Sequence, residues 1–538
     1  MLFYSIYNFV NNKRILFGFF IIFIFLLILD VVFYYAFNEF ASEHVKILAF
    51  DIGFAPEIWL SILTLVLGTL IIVISIASQD TPRLIDLYLN NWTSIFFMWF
   101  IALSSVHSVI FLLIESLVSR PSSELLNTFL LLPVALLSSL PYIFFILNYS
   151  KMDHVIEVIN KQLNESISKI EVYSKSGLLK NRKVVKDLHF IMLERVNQLM
   201  DLFSYVEFKE TKGTIINYLS SSLERYITLK GKFNANFYVL TSEIRHDINF
   251  ANYTHYQFLK MEKRQIFFEE KIFRVMGNIY NESLLDKNHE LASNCCSKIV
   301  QIGKIALQMD DDILVGLIST RINTLFRLSI NDGVNNRSSR IINNFIFQSC
   351  KLLDVIIRLK KEREIIRFYE FLLIYGNKLF AHSVEDINIG FSVSYLLYEG
   401  KHSIIKINEE GWDDSIQEKL INMMLKVDEP SEIESDILLR HKIKHDNSRI
   451  ILLGLALYYC SEKKFDLADL IIDNSIEELG DISIDKKRKI FEETFIKLEQ
   501  ARMNFWEDTD RGTLNIYFSH ETDLIAPLME VIEERLGV

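Results

Sequence analysis

Up to residue 148, long apolar runs alternate with short polar breaks, and this pattern predicts four helices at about 15–37, 58–78, 92–118 and 125–147. At about 1.5 Å of rise per residue, some twenty apolar residues cross a ~30 Å hydrocarbon core, so each run matches a bilayer. In the second run, Ile58 to Ala77 carries no formal charge. Its small and polar residues Ser61, Thr64, Gly68, Ser75, Ser78 and Pro82 recur at steps of three, four and seven. They therefore share one face, which is expected to meet protein or water rather than lipid. The run closes on Ser-Gln-Asp-Thr-Pro-Arg, where Asp80 or Thr81 can cap a following helix and Pro82 can open it. Pro133 and Pro141 predict an irregular fourth helix, and the short Ser119–Glu124 link makes helices three and four antiparallel neighbours.

Beyond residue 149 the apolar runs give way to helical spacing. Met152, Ile156, Ile159, Leu163, Ile167 and Ile170 repeat at steps of three and four, which suits a stalk prolonging the fourth span and an ordinary first helix of the next fold equally well. No proline occurs between Pro141 and Pro430, which argues for helices throughout. Turns are expected at Asn331-Asp332-Gly333, Asp428-Glu429-Pro430-Ser431 and Gly480-Asp481. The fold class is all-α, a four-helix transmembrane bundle followed by a large α-helical cytosolic region. The divisions are 1–148, a juxtamembrane stalk 149–205, a middle lobe 206–428 and a C-terminal lobe 432–538. Leu452, Leu455, Ala456, Tyr459, Ala468, Ile472 and Ser475 have the spacing of one tetratricopeptide-like hairpin, with no second copy evident in sequence.

Charge orients the bundle. The region before residue 149 holds five basic and nine acidic residues of the chain's 57 and 68. Neither part is basic enough to bind nucleic acid. Lys13 and Arg14 precede the first span, and a run from Lys151 to Lys186 follows the fourth, placing both termini in the cytosol of a plasma (inner) membrane. The first run is too long for a cleaved signal and reads as a retained anchor. Cys295, Cys296, Cys350 and Cys460 lack paired ligand spacing and read as reduced, buried thiols.

The candidate chemistry lies in the apolar runs. Asp30 and His107 each stand fifteen residues into a span from its cytosolic end, about 22 Å up, where ionisable groups are costly and face the bundle interior or water. Ser75, Ser78, Gln79 and Glu115 are further membrane-embedded polar candidates, and Asp80, Pro82 and Arg83 form a candidate coupling turn. Outside the bundle, Arg245-His246-Asp247 has the order of a phospho-accepting helix but lacks the glycine-rich nucleotide segment. His441 and His445, with Asp446, have a metal-ligand spacing but no third close ligand. No catalytic motif is present, and no catalytic residue, metal or cofactor is assigned.

The stretch Ser75-Ile-Ala-Ser-Gln-Asp-Thr-Pro-Arg-Leu84, followed by a third span, resembles a family of uncharacterised bacterial integral membrane proteins, a domain of unknown function. The likeness covers about residues 10 to 170 and rests on Ser78, Gln79, Pro82 and Arg83. Leu328-Ser-Ile-Asn-Asp332 is similar to a segment of the same family's cytosolic part, without its two prolines. The resemblance implies four spans and a cytosolic C-terminal domain, and no activity.

Two functions fit. One is a membrane-embedded conducting or gating module with a cytosolic helical sensor domain. The alternative is a membrane-anchored interaction or scaffold protein with no transport activity. The implied partners are the lipid bilayer, a second copy of the chain, and a protein docking on the cytosolic helices, with no nucleic acid.

Overall fold

The computed structural model describes residues 14–41, 55–80, 92–114, 121–149, 151–509 and 512–537. Among the described residues the chain is helical apart from one short hairpin. It divides into two compact units, Met1–Ile215 with Lys232–Phe237, and Ile216–Gly231 with Tyr238–Val538.

The first unit begins with α1 (Arg14–Ala41), α2 (Ala55–Asp80) and α3 (Trp92–Ile114). A fourth helix, α4, is built from Pro121–Leu125, a π-helical turn Leu126–Leu131, and Leu132–Tyr149. The π-turn follows from Pro133, which has no N–H to donate and whose ring crowds the carbonyl four residues back, so the ladder widens just before it. The four helices pack around Trp59, Ile62, Val66, Ile101, Leu131 and Ala135. Gly18 lets α1 approach α3 closely, because a Cβ there would lie 2.4 Å from Ile95 Cγ2. Facing outward are Ile24, Ile28, Val32, Leu60, Ile71, Leu113, Leu137 and Phe144, all exposed. Water-soluble monomers rarely show a continuous apolar surface of this extent.

Helices long and apolar enough to cross a membrane are Arg14–Ala36, Trp92–Ile110, Ser122–Phe145 and Asp312–Asn335, with Ala55–Thr69 a shorter apolar stretch of α2. The Asp312–Asn335 helix belongs to the second unit, where its apolar face is buried against neighbouring helices and Arg321 pairs with Glu270.

The stalk reading gives way to a hairpin. Lys151 takes an extended ψ of 120°, so α5 (Met152–Lys175) starts afresh rather than prolonging α4. It buries Ile156, Ile159, Leu163, Ile167 and Ile170 and pairs with α6 (Arg182–Tyr205). The basic residues Lys180, Arg182, Lys183 and Lys186 lie exposed near the turn. Next comes α7 (Lys209–Lys230), then α8 (His255–Arg264).

The second unit is a stack of helical hairpins. After α8 and the greater part of α7, which belong to it, come α9 (Phe267–Leu285), α10 (His289–Gln308), α11 (Asp312–Asn335), α12 (Arg340–Arg358), α13 (Glu362–Ser383), α14 (Ile387–Glu409), α15 (Asp414–Leu425), α16 (Ser435–Lys444), α17 (Asn447–Ser461), α18 (Phe465–Glu477) and α19 (Ile484–Gln500). One layer runs α9, α11, α13, α15, and the other α10, α12, α14, α17, each helix packing on the next of its layer. The repeat is visible in the polar bonds that join successive hairpins. Tyr375 Oη donates to Asn323 O at 3.1 Å across 52 positions, Asn408 Nδ2 to Tyr458 Oη at 2.9 Å across 50, and Glu429 N to Asn377 Oδ1 at 3.0 Å across 52. Lys361 bonds Asp310 across 51. A step of about fifty residues is therefore the repeat, longer than a tetratricopeptide unit of about 34, and Leu452 to Ser475 form one of its helix pairs.

Most turns of this stack close without glycine. Lys287, Asp310, Arg337, Lys360 and Lys463 adopt positive φ, with the following amides bonding back five residues, as in Asn288 N to Ser283 O at 2.8 Å. Gly333 is not in a turn, contrary to the sequence reading, because α11 continues to Asn335. It lacks a Cβ where Ile342 Cδ1 of α12 would stand 2.5 Å away. Gly480 does sit in a turn, with φ 57°, and Asp428–Ser431 is a non-helical connection inside the second unit. The antiparallel strands β1 (Asn504–Thr509) and β2 (Gly512–Leu514), followed by α20 (Ile525–Leu536), complete the chain; no strand was expected from the sequence.

Candidate functional site

Each of the four apolar helices gives one side chain to a polar chain inside the bundle. Trp59 of α2, fully buried, donates its indole Nε1–H to Asn127 Oδ1 at 2.6 Å. Asn127 lies in the π-turn of α4, and its Nδ2 reaches Ser104 O at 3.1 Å and His107 Nδ1 at 3.0 Å, both on α3. On the far side of the ring, His107 Nε2 stands 3.8 Å from Asp30 Oδ1 of α1. The order of atoms fixes the protons. An indole nitrogen can only donate, so Asn127 must present its oxygen to Trp59 and its amide hydrogens to His107. His107 Nδ1 is therefore an acceptor, and the neutral ring carries its proton on Nε2, aimed at Asp30. At 3.8 Å the two are within ion-pair reach but beyond a hydrogen bond, and Asp30 Oδ1 is buried with no hydrogen-bond partner. Ser104 Oγ, Ser123 Oγ and Thr128 Oγ1 are also buried and unbonded, which makes this a polar interior rather than a single pair.

Ser61 and Thr64 lie on the outer side of α2, away from the polar chain, which α2 joins through Trp59 on its buried side. Their hydroxyls donate to Glu57 O at 2.9 Å and Leu60 O at 2.8 Å, so the outer face is satisfied by its own backbone. Ser75, Ser78, Gln79 and Asp80 fall in the last turns of α2, which continues through Asp80; their side chains, and all of Pro82, Arg83 and Glu115, lie outside the described residues.

Geometry gives the two motifs outside the bundle structural roles. Asp247 is buried and bonded at 2.7 Å to Lys271, so it is not placed to activate the exposed His246. His441 Nε2 is 3.1 Å from Ser383 Oγ, and Asp446 is paired with Lys497 at 2.7 Å. Burial, then the neighbouring His445 and Lys444, lowers the His441 pKa. Among the described residues no three His, Cys, Asp or Glu side chains converge on one point. Cys295, Cys296 and Cys350 are buried free thiols, and Cys460 is half-buried. Burial pushes the pKa of all four up, so none is a ready thiolate.

No protein-family model matches the chain, and no curated protein matches it. A solved structure described as a circular tandem repeat protein with novel repeat topology and enhanced subunit contact surfaces aligns over 72% of this chain and 97% of that chain, at 12% identity and a TM-score of 0.31. At that score the likeness carries no argument.

Proposed function

We propose that the chain is a multi-pass protein of the plasma (inner) membrane, crossing it four times with both termini cytosolic. Its bundle is a conducting or gating module for protons, and its helical hairpins form the cytosolic sensor. The observation that carries this reading is the Asp30–His107 pair, held 3.8 Å apart in a sleeve of outward-facing apolar residues. An Asp within a spanning helix is costly to insert, up to about 3 kcal/mol at the bilayer centre and less toward the interface. An anchor gains nothing from that cost, whereas a proton pathway requires such a group. The carboxylate and the Nε2–H facing it form a site that can hold one proton more or less, and the Trp59–Asn127 bond keeps the imidazole pointed at it.

The alternative, an anchored scaffold without transport, draws support from the outer face of α2. Self-satisfied hydroxyls at Ser61 and Thr64, with open space at Gly68, suit close packing against another helix.

Proton flux separates the two readings. The full chain in liposomes with a pH-sensitive dye inside should dissipate an imposed pH gradient, and Asp30→Asn, which keeps the shape and loses the titratable group, should slow this by about a hundredfold, the lower end of the range for loss of a proton-transfer group. Equal leak through wild type, Asp30→Asn and empty liposomes would leave only the scaffold.

A further inference from the structure

In the second unit a cleft of about 220 Å³ opens between α12 and α14 and is roofed by Leu514 and Ile516 of the C-terminal segment. The roof is tied down where Ser519 Oγ donates to Gly454 O of α17 at 3.3 Å. The cleft is smaller than the about 300 to 1,000 Å³ of pockets for drug-sized ligands, which suits a small metabolite.

Its walls carry charges of both signs. Asp354 and Lys406 neutralise one another at 2.6 Å. Lys351, on α12, has no carboxylate within ion-pair distance among the described residues; its Nζ donates to Gln348 Oε1 at 3.2 Å and lies 4.2 Å over the Phe347 ring. Burial, and then the like charge of Lys304, depresses its pKa, so an incoming carboxylate would relieve both. On the facing helix α14, Glu399 lines the same cleft, where its carboxylate accepts from the Cys350 thiol and keeps further lone pairs for a second donor. His402 does not add a competing cation, because burial and then Lys406 lower its pKa. Between the charged walls the lining is apolar and aromatic, with Tyr395, Tyr398 and Ile516 beside Phe347.

We infer that this cleft binds a free α-amino acid with an apolar side chain, its carboxylate on Lys351, its ammonium on Glu399 and its side chain among the aromatic rings and Ile516. One anionic and one cationic group on a small apolar body match the cleft's charge pattern, whereas a simple anion would meet Glu399 and a simple cation Lys351. The ligand would be what the sensor reads, but binding does not depend on the membrane reading, and the two fail separately: the first in calorimetry, the second in the flux assay.

The test is isothermal titration calorimetry on the full chain in detergent with L-leucine, L-methionine and L-phenylalanine. At least one should bind at millimolar concentration or below, and its N-acetyl and amide derivatives should each bind about tenfold more weakly or not at all, since each gives up one of the two charge contacts. Lys351→Met keeps the stem over Phe347 and should weaken binding by a similar factor. Glu399→Gln keeps the shape and should do the same, which secures the reading if the lysine variant does not fold. Absence of heat from all three amino acids, equal binding of the blocked derivatives, or unchanged affinity in the variants would overturn the assignment.

Discussion

Lys271→Met is expected to lower the thermal unfolding midpoint of the helical-hairpin unit by about 10 °C, the equivalent of 3–5 kcal/mol for removing one partner of a buried ion pair. Lys271 and Asp247 are both almost wholly buried, and Nζ donates to both carboxylate oxygens at 2.7 Å. Losing the ammonium strands a carboxylate that has no route to water. That carboxylate also accepts from Asn249 N at 2.8 Å, so Asp247→Asn in the same chain preserves this bond and removes the stranded charge. The double variant should recover more than half of the lost midpoint. A scan of circular dichroism against temperature on the full chain in detergent measures both, and a single variant as stable as wild type would show that the pair is solvated.

Within the bundle, Asn127→Leu should be the most damaging single change, at about 2–4 kcal/mol, because it leaves the Trp59 indole N–H and His107 Nδ1 both without their partner in an apolar interior. The stability loss should be accompanied by loss of proton flux, since His107 is then free to turn away from Asp30. Asn127→Asp separates the two effects. A carboxylate still accepts from Trp59 but offers no hydrogen to His107 Nδ1, so the ring gains its second proton there and becomes a cation. The expected result is a folded protein with an altered pH dependence of flux; wild-type flux from Asn127→Leu would contradict the relay.

The parts of this fold that could be read from sequence were those set by local periodicity. Uninterrupted apolar runs give α1 to α4, and steps of three and four from Ile156 to Ile170 give the buried face of α5. Equal depth in their spans was enough to set Asp30 beside His107 as candidates. Nothing marked Trp59 or Asn127, because an indole and one amide in apolar runs look like ordinary packing and interfacial residues. The only hint was Pro133, six positions after Asn127, which forces the π-turn that aims the amide inward. The hairpin stack was hidden for a different reason. Most of its turns use left-handed Lys, Asp and Arg residues in place of glycine, and of the two glycines expected in turns, Gly480 sits in one while Gly333 serves helix packing. The repeat shows itself only in bonds between residues some fifty positions apart, which no short window contains. Arg83 and Glu115 lie outside the described residues, so their roles rest on sequence alone.

The polar chain can carry protons across a bilayer only if the apolar sleeve around it faces lipid. Single cysteines at Ser42, between the first and second apolar helices, and at Ser176, exposed after α5, test this in a background where Cys460 is replaced by serine. With a membrane-impermeant thiol reagent on intact cells, Ser42→Cys should label at once and Ser176→Cys only after the membrane is opened. Labelling of Ser176→Cys in intact cells, or protection of Ser42→Cys until lysis, would contradict the four-span arrangement.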